Sequence, residues 1–279
     1  MHRTIVSVEE LAAHANDSAW AIVDCRHSLQ DFTAGRRAYA QAHIPGAFFA
    51  DVETELAGEK TGKNGRHPMP DPAQFAAFLR ELGVDPDTQI VAYDAGADMF
   101  AARFWFLCKH TGHDAVAVLD GGLGAWVAAG KPVSAQESPR PKNGTIAANP
   151  RHEMTVDAQA VLASLEGGEL KLLDARAADR FAGQNETIDP VAGHIPGALN
   201  RPFKQNFDER GLFKSPAGLR EEYQRLGVDP KRLVHQCGSG VSSAVNLLAM
   251  EIAGIEGSRL YPGSWSEWIA DPARPVATG

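Results

Sequence analysis

The sequence predicts two tandem α/β domains, each a mainly parallel sheet flanked by helices on both faces. Three observations predict it: an internal repeat, a regular alternation of short apolar strands with helices, and one Pro/Ser/Asn/Gly-rich stretch between the halves. In the repeat, Ala21-Ile22-Val23-Asp24-Cys25-Arg26 matches Leu172-Leu173-Asp174-Ala175-Arg176. AHIPGA at 42–47 matches GHIPGA at 193–198, and LGVDP occurs at 82–86 and at 226–230. VLDGGLGAWVAAGKPV at 118–133 matches LYPGSWSEWIADPARPV at 260–276. The order is kept throughout, which chance matches would not do, so the unit repeated is a domain and not a short solenoid motif.

Each element has a local cause. Ser7-Val8-Glu9-Glu10 has capping-box spacing and opens an amphipathic helix. A short apolar strand ends in Asp-x-Arg, at Asp24 and Arg26 and again at Asp174 and Arg176. The His-Ile-Pro-Gly-Ala turn, another strand and a helix running into LGVDP come next. An apolar strand (Gln89 to Tyr93, or Leu233 to Gln236) then leads into a long helix. Short uninterrupted apolar strands fit burial on both faces. The aperiodic stretch between the halves reads as a linker. The boundaries are a first domain at 1–135, a linker at 136–152 and a second domain at 153–279.

Composition narrows the function. The chain has 279 residues, 44% hydrophobic and 22% charged, with a net charge of −8. Such an acidic balance argues against nucleic acid or an anionic membrane as partner. No window approaches the ~18 apolar residues of a membrane span. The first residues carry no secretory signal pattern, and the expected location is cytoplasmic. Cys25, Cys108 and Cys237 are too few for a disulfide framework and too scattered for a thiol zinc site. No metal or organic cofactor is expected.

The two halves differ at one informative place. Asp94-Ala95-Gly96-Ala97-Asp98-Met99-Phe100 falls opposite Cys237-Gly238-Ser239-Gly240-Val241-Ser242-Ser243. Cys237 therefore sits at the carboxyl end of a parallel strand, where ligands bind in open α/β sheets. A helix expected to begin near Val241 would point unpaired N–H groups and its positive dipole end at the sulfur. Gly238 and Gly240 are expected to supply positive φ angles, letting amides converge. Such a thiol has a lowered pKa. A thiol kept in one copy only is better explained as a nucleophile than as packing. Cysteine phosphatases also use a Cys-loop-helix, but place an arginine six residues on; here that residue is Ser243, and the loop carries no cation.

With these residues in place, the chain resembles the two-domain sulfurtransferases, the rhodanese and 3-mercaptopyruvate sulfurtransferase family. The likeness covers nearly the whole chain, through the paired HIPGA and Asp-x-Arg motifs, LDGG…AW near 119–126, GSWSEW at 263–268 and the CGSGVSS loop. It implies tandem rhodanese-like domains, the first non-catalytic and the second catalytic. It implies a Cys237 persulfide that passes sulfur from 3-mercaptopyruvate or thiosulfate to cyanide, a small thiol or thioredoxin. It implies a loop of Gly238, Ser239, Gly240, Val241 and Ser242 that cradles the persulfide, and Arg180 as a grip on the donor's anionic group. Ser239 would relay a proton with His67, from Gly65-Arg66-His67-Pro68-Met69-Pro70, and Glu53 would be the supporting acid. The neutral loop points to 3-mercaptopyruvate. The family's second donor-binding arginine is missing, with Asp189 near its position, which keeps thiosulfate open. Two other classes stay in view: a phosphatase-like Cys-loop enzyme and a non-enzymatic sulfur carrier.

Several residues carry a plainer reading. Arg26 and Arg176 are expected to form structural ion pairs, and His43 and His194 to bond loop carbonyls, since both copies have them. Cys25 and Cys108 read as packing, as do Trp126 and Trp268. His235 falls on the strand face of Cys237, and burial is its expected role.

Overall fold

Among the described residues every pairing between the named strands is parallel, and parallel strands need crossover helices, which the alternating sequence supplies. The computed structural model describes every residue except Arg140. It divides into two compact units. Unit 1 comprises Met1–Gly58, Pro70–Arg151 and Phe207–Phe213; unit 2 comprises Glu59–Met69, His152–Asn206 and Lys214–Gly279. Residues 136–139 and 141–151 thus pack with unit 1, and the short segment 59–69 packs with unit 2.

Unit 1 runs β1 (Ile5–Val6), α1 (Val8–His14), β2 (Trp20–Asp24), α2 (Ala34–Gln41), β3 (Phe48–Phe49), α3 (Pro72–Glu81), β4 (Gln89–Tyr93), α4 (Phe100–His110), β5 (Val116–Leu119) and α5 (Gly122–Ala128). Its strand order is β1-β5-β4-β2-β3. Ile22, Val91, Tyr93, Ala117 and Leu119 form a core with Val8 and Leu11 of α1 and Trp126 of α5. Nearly all of α4 is buried, Phe100 through Cys108. Ser7 caps α1, its Oγ accepting from the Glu10 N–H at 3.1 Å. The Glu10 carboxylate turns to His2 instead of closing the box.

Unit 2 runs α6 (Ala158–Gly167), β6 (Lys171–Asp174), α7 (Ala178–Phe181), β7 (Leu199–Asn200), α8 (Pro216–Gln224), β8 (Leu233–Gln236), α9 (Ser243–Ile252), β9 (Arg259–Leu260) and α10 (Ser264–Trp268). Its order is β7-β6-β8-β9. A parallel bridge from Thr155 to Leu260 stands where β1 stands in unit 1. The topology is that of unit 1 repeated.

The repeated motifs have one structural explanation. The Arg26 guanidinium grips Asp24 and also donates to the Ala42 carbonyl at 2.6 Å. Arg176 grips Asp174 and donates to the Gly193 carbonyl at 2.8 Å. The Asp-x-Arg strand end therefore holds the entry of the HIPGA turn in each unit. His43 Nδ1 lies 2.7 Å from the Tyr39 carbonyl, and His194 Nδ1 lies 2.8 Å from that of Phe181. Trp126 and Trp268 are buried, their indole N–H groups on the carbonyls of Pro132 and Pro275. No described helix is long and apolar enough to cross a membrane.

Candidate active site

Strand β8 delivers Cys237 to the end of the unit 2 sheet, and the chain turns at once into α9. The turn is pinned from below. The Ser264 hydroxyl accepts from the Cys237 N–H at 3.1 Å, and the N–H groups of Trp265 and Ser266 donate to the carbonyls of Cys237 and Gly238. Gly240 has φ +76°, and a Cβ there would run into the Pro262 carbonyl oxygen. Gly238 is not in the left-handed region. The expectation of positive φ at both glycines is thus corrected: what Gly238 supplies is room. An added Cβ would stand 2.9 Å from Arg66 Nη2, 3.7 Å from Arg180 Nη2 and 3.8 Å from Asp189 Oδ2.

Helix α9 begins at Ser243, two residues after the expected Val241. Ser242 occupies the N-cap position, yet its side chain makes no capping bond. The Ser243 Oγ lies 3.5 Å from Cys237 Sγ, and the Ser242 hydroxyl also acts to lower the pKa of that thiol. Cys237 is 2% exposed. Burial acts to raise its pKa, but hydrogen bonds from the Ser242 and Ser243 hydroxyls and from the Ser239 and Ser243 amides outweigh it. The thiol is held below its ordinary value. Burial pushes the other two thiols, Cys25 and Cys108, well up.

Unit 1 shows what such a loop is suited to hold. Asp94, in the place of Cys237, accepts from the N–H groups of Gly96 and Ala101 at 3.0 Å each. Burial nevertheless raises its carboxyl above the usual range. Unit 1 has Met99 and Phe100 where unit 2 has Ser242 and Ser243, so two hydroxyl donors separate the copies.

Segment 59–69 adds two side chains to the loop. Ser239 Oγ lies 2.8 Å from His67 Nδ1, and both residues are buried. Gly65, at φ +87°, approaches the Gly263 carbonyl so closely that a Cβ would stand 2.8 Å from it. The Arg66 N–H donates to Ser266 Oγ at 3.0 Å. The Arg66 guanidinium pairs with Asp189. Arg180 grips Glu186 at 2.9–3.2 Å and reaches Asp189 at 3.3 Å. Glu53 lies in unit 1, its carboxylate 3.7 Å from His27 Nε2.

The rhodanese-like domain model matches the chain twice, over residues 7–129 and 157–271. The chain belongs to the rhodanese family. It is a sulfurtransferase. It is 46% identical to a probable 3-mercaptopyruvate sulfurtransferase of Pseudomonas aeruginosa, over 99% of this chain and 98% of that protein. It is 38% identical to a putative thiosulfate sulfurtransferase of Mycobacterium tuberculosis, again over 99% and 98%. Among solved structures it is similar to the 3-mercaptopyruvate sulfurtransferase from Leishmania major, with TM-score 0.85 and 30% identity over 95% of this chain and 74% of that one.

In this rhodanese, Cys237, the 238–242 loop, Ser239, His67 and Arg180 come together in unit 2. Arg66 was missed from the sequence; its only signal was the unexplained acid at Asp189. His235 is fully buried, its ring nitrogens have no hydrogen-bond partner among the described residues, and its pKa is pushed down to about 3 by desolvation. It is a neutral packing group. A sulfurtransferase of this family uses small-molecule sulfur donors and acceptors. Its thiolate should depend on the two serines. Changing Ser242 and Ser243 together to alanine is expected to move the pH midpoint of Cys237 alkylation upward. Alkylation at neutral pH should slow about tenfold, since each lost bond was to a charged acceptor. Iodoacetamide rates across pH measure this; an unmoved midpoint would remove the serines from thiolate stabilisation.

Proposed function

We propose that this sulfurtransferase takes sulfur from 3-mercaptopyruvate onto Cys237 and passes it to a thiol, cyanide or thioredoxin. The Cys237 thiolate attacks the donor sulfur and forms an S–S bond as the donor's C–S bond breaks. The electron pair leaves on the pyruvate enolate, which must gain a proton to become pyruvate. The acceptor then attacks the outer sulfur and restores the thiolate, a double displacement. The amides and hydroxyls that favour a thiolate at Cys237 favour a persulfide anion in the same way.

The observation that carries the choice of donor is the 2.8 Å contact between His67 and Ser239, two residues beyond the nucleophile. A buried imidazole–hydroxyl pair is a route for the proton that an enolate needs. Sulfite, the leaving group from thiosulfate, needs none. Glu53 enters this proposal as the acid that supports His67. Thiosulfate is the second reading, favoured by the cations near Gly238. Steady-state rates with both donors, on wild type and His67→Ala, test the choice. The expected result is a fall of about 10²-fold in 3-mercaptopyruvate turnover and less than about threefold for thiosulfate. Equal falls would remove the relay. In the same assay Glu53→Gln should shift the pH profile for 3-mercaptopyruvate; an unmoved profile takes Glu53 out of the relay.

A further inference from the structure

We propose that Ser266 is a positioning residue for the His67–Ser239 pair, and that its hydroxyl sets the register of segment 59–69 against the active loop. This rests on the reading of His67 and Ser239 as the proton route for the enolate. Ser266 lies in α10. Its N–H donates to the Gly238 carbonyl at 2.9 Å. Its Oγ accepts from the Arg66 N–H at 3.0 Å and donates to the Gly263 carbonyl at 3.3 Å. Gly238 is the residue before Ser239, and Arg66 is the residue before His67. One serine therefore holds both backbone segments, each one residue short of the 2.8 Å contact between His67 and Ser239.

Glycine makes the approach close. At φ +87°, a Cβ on Gly65 would stand 2.8 Å from the Gly263 carbonyl oxygen and 3.2 Å from Ser266 Oγ. Residues 65–66 thus rest directly on the start of α10, and the hydroxyl fixes where along α10 they rest. That register matters because a proton passes between imidazole and hydroxyl only within hydrogen-bond reach. A shift of about 1 Å in a catalytic contact can cost about 10²-fold. The other copy separates the two bonds that Ser266 makes. Aligning Trp126 with Trp268 puts Gly124 in the place of Ser266. The Gly124 N–H makes the same backbone bond, to the Ala95 carbonyl at 3.2 Å. The amide bond belongs to the repeated fold. The hydroxyl is present only in the copy that carries Cys237.

Ser266→Ala, Ser266→Thr, His67→Ala and the double variant Ser266→Ala/His67→Ala, each assayed with 3-mercaptopyruvate and with thiosulfate, form the test. Ser266→Ala keeps the amide bond to Gly238 and removes the hydroxyl. It should lower 3-mercaptopyruvate turnover about tenfold, with KM within about twofold, and thiosulfate turnover less than about threefold. Ser266→Thr keeps the hydroxyl and should recover most of the loss. In the His67→Ala background the serine change should add less than about twofold, because residues that act as a unit are not additive. An unchanged 3-mercaptopyruvate rate in Ser266→Ala overturns the assignment. So does an equal fall with both donors, which marks a structural role, or a double variant whose loss is the product of the two single losses. Should Ser266→Ala fold poorly, Ser266→Gly, with the residue that the other copy carries, replaces it in every comparison. If His67→Ala lowers both donors equally, the relay and this assignment fall together; if His67→Ala is selective and Ser266→Ala is not, only this assignment fails.

Discussion

Cys237→Ser is expected to cut sulfur transfer at least about 10³-fold from every donor, and to leave the intact protein without added sulfur mass after donor treatment. The reason is chemical. A serine hydroxyl ionises far above neutral pH and forms no persulfide, so the first half-reaction has no product. The fold should be unaffected: serine is slightly smaller, and Ser242, Ser243 and the loop amides offer it hydrogen bonds. A thermal midpoint within about 2 °C of wild type is expected. Cys25→Ser and Cys108→Ser serve as controls, because both thiols are buried with raised pKa values. Added sulfur on Cys237→Ser protein would place the nucleophile elsewhere. A wild-type protein that accepts sulfur from a partner desulfurase but turns over no small donor would instead be a carrier.

The fold was legible because its rules are local. Period, turn residues and order repeat between the halves, and the matching strand orders of the two sheets follow from that repeat. The position of the candidate nucleophile was legible for the same reason, since Cys237 and Asp94 follow the equivalent strands β8 and β4. Two things were not. Ser242 was expected in the loop around the sulfur, but nothing local says that it makes no capping bond or that the Ser243 hydroxyl reaches the sulfur. Arg66 and Asp189 lie 123 residues apart, and their pairing needs segment 59–69 to pack with unit 2. The sequence showed a missing arginine at Asp189 and an arginine beside His67. Only the fold shows that the two residues pair.

Gly240→Ala should be the most destabilising single-methyl change in the active loop. At φ +76° an alanine costs about 1–2 kcal/mol from its own backbone. Its Cβ also meets the Pro262 carbonyl oxygen, a backbone atom that cannot swing away. The sum is about 3 kcal/mol, a fall of roughly 6–12 °C in thermal midpoint. Relief by shifting the loop would turn the amides of Ser239 and Ser243 away from the sulfur, so Cys237 alkylation at neutral pH should slow as well. Gly238→Ala is the informative contrast. Its new methyl meets the far end of the Arg66 side chain at 2.9 Å in ordinary backbone conformation. Stability should stay within about 1 kcal/mol of wild type, while donor KM rises because the Arg66 guanidinium is pushed off Gly238. Differential scanning calorimetry paired with donor kinetics separates the two. Equal losses of stability would mean that backbone conformation governs position 238 too. A stable Gly240→Ala variant with normal alkylation would mean that the turn does not depend on its left-handed residue to hold the thiolate.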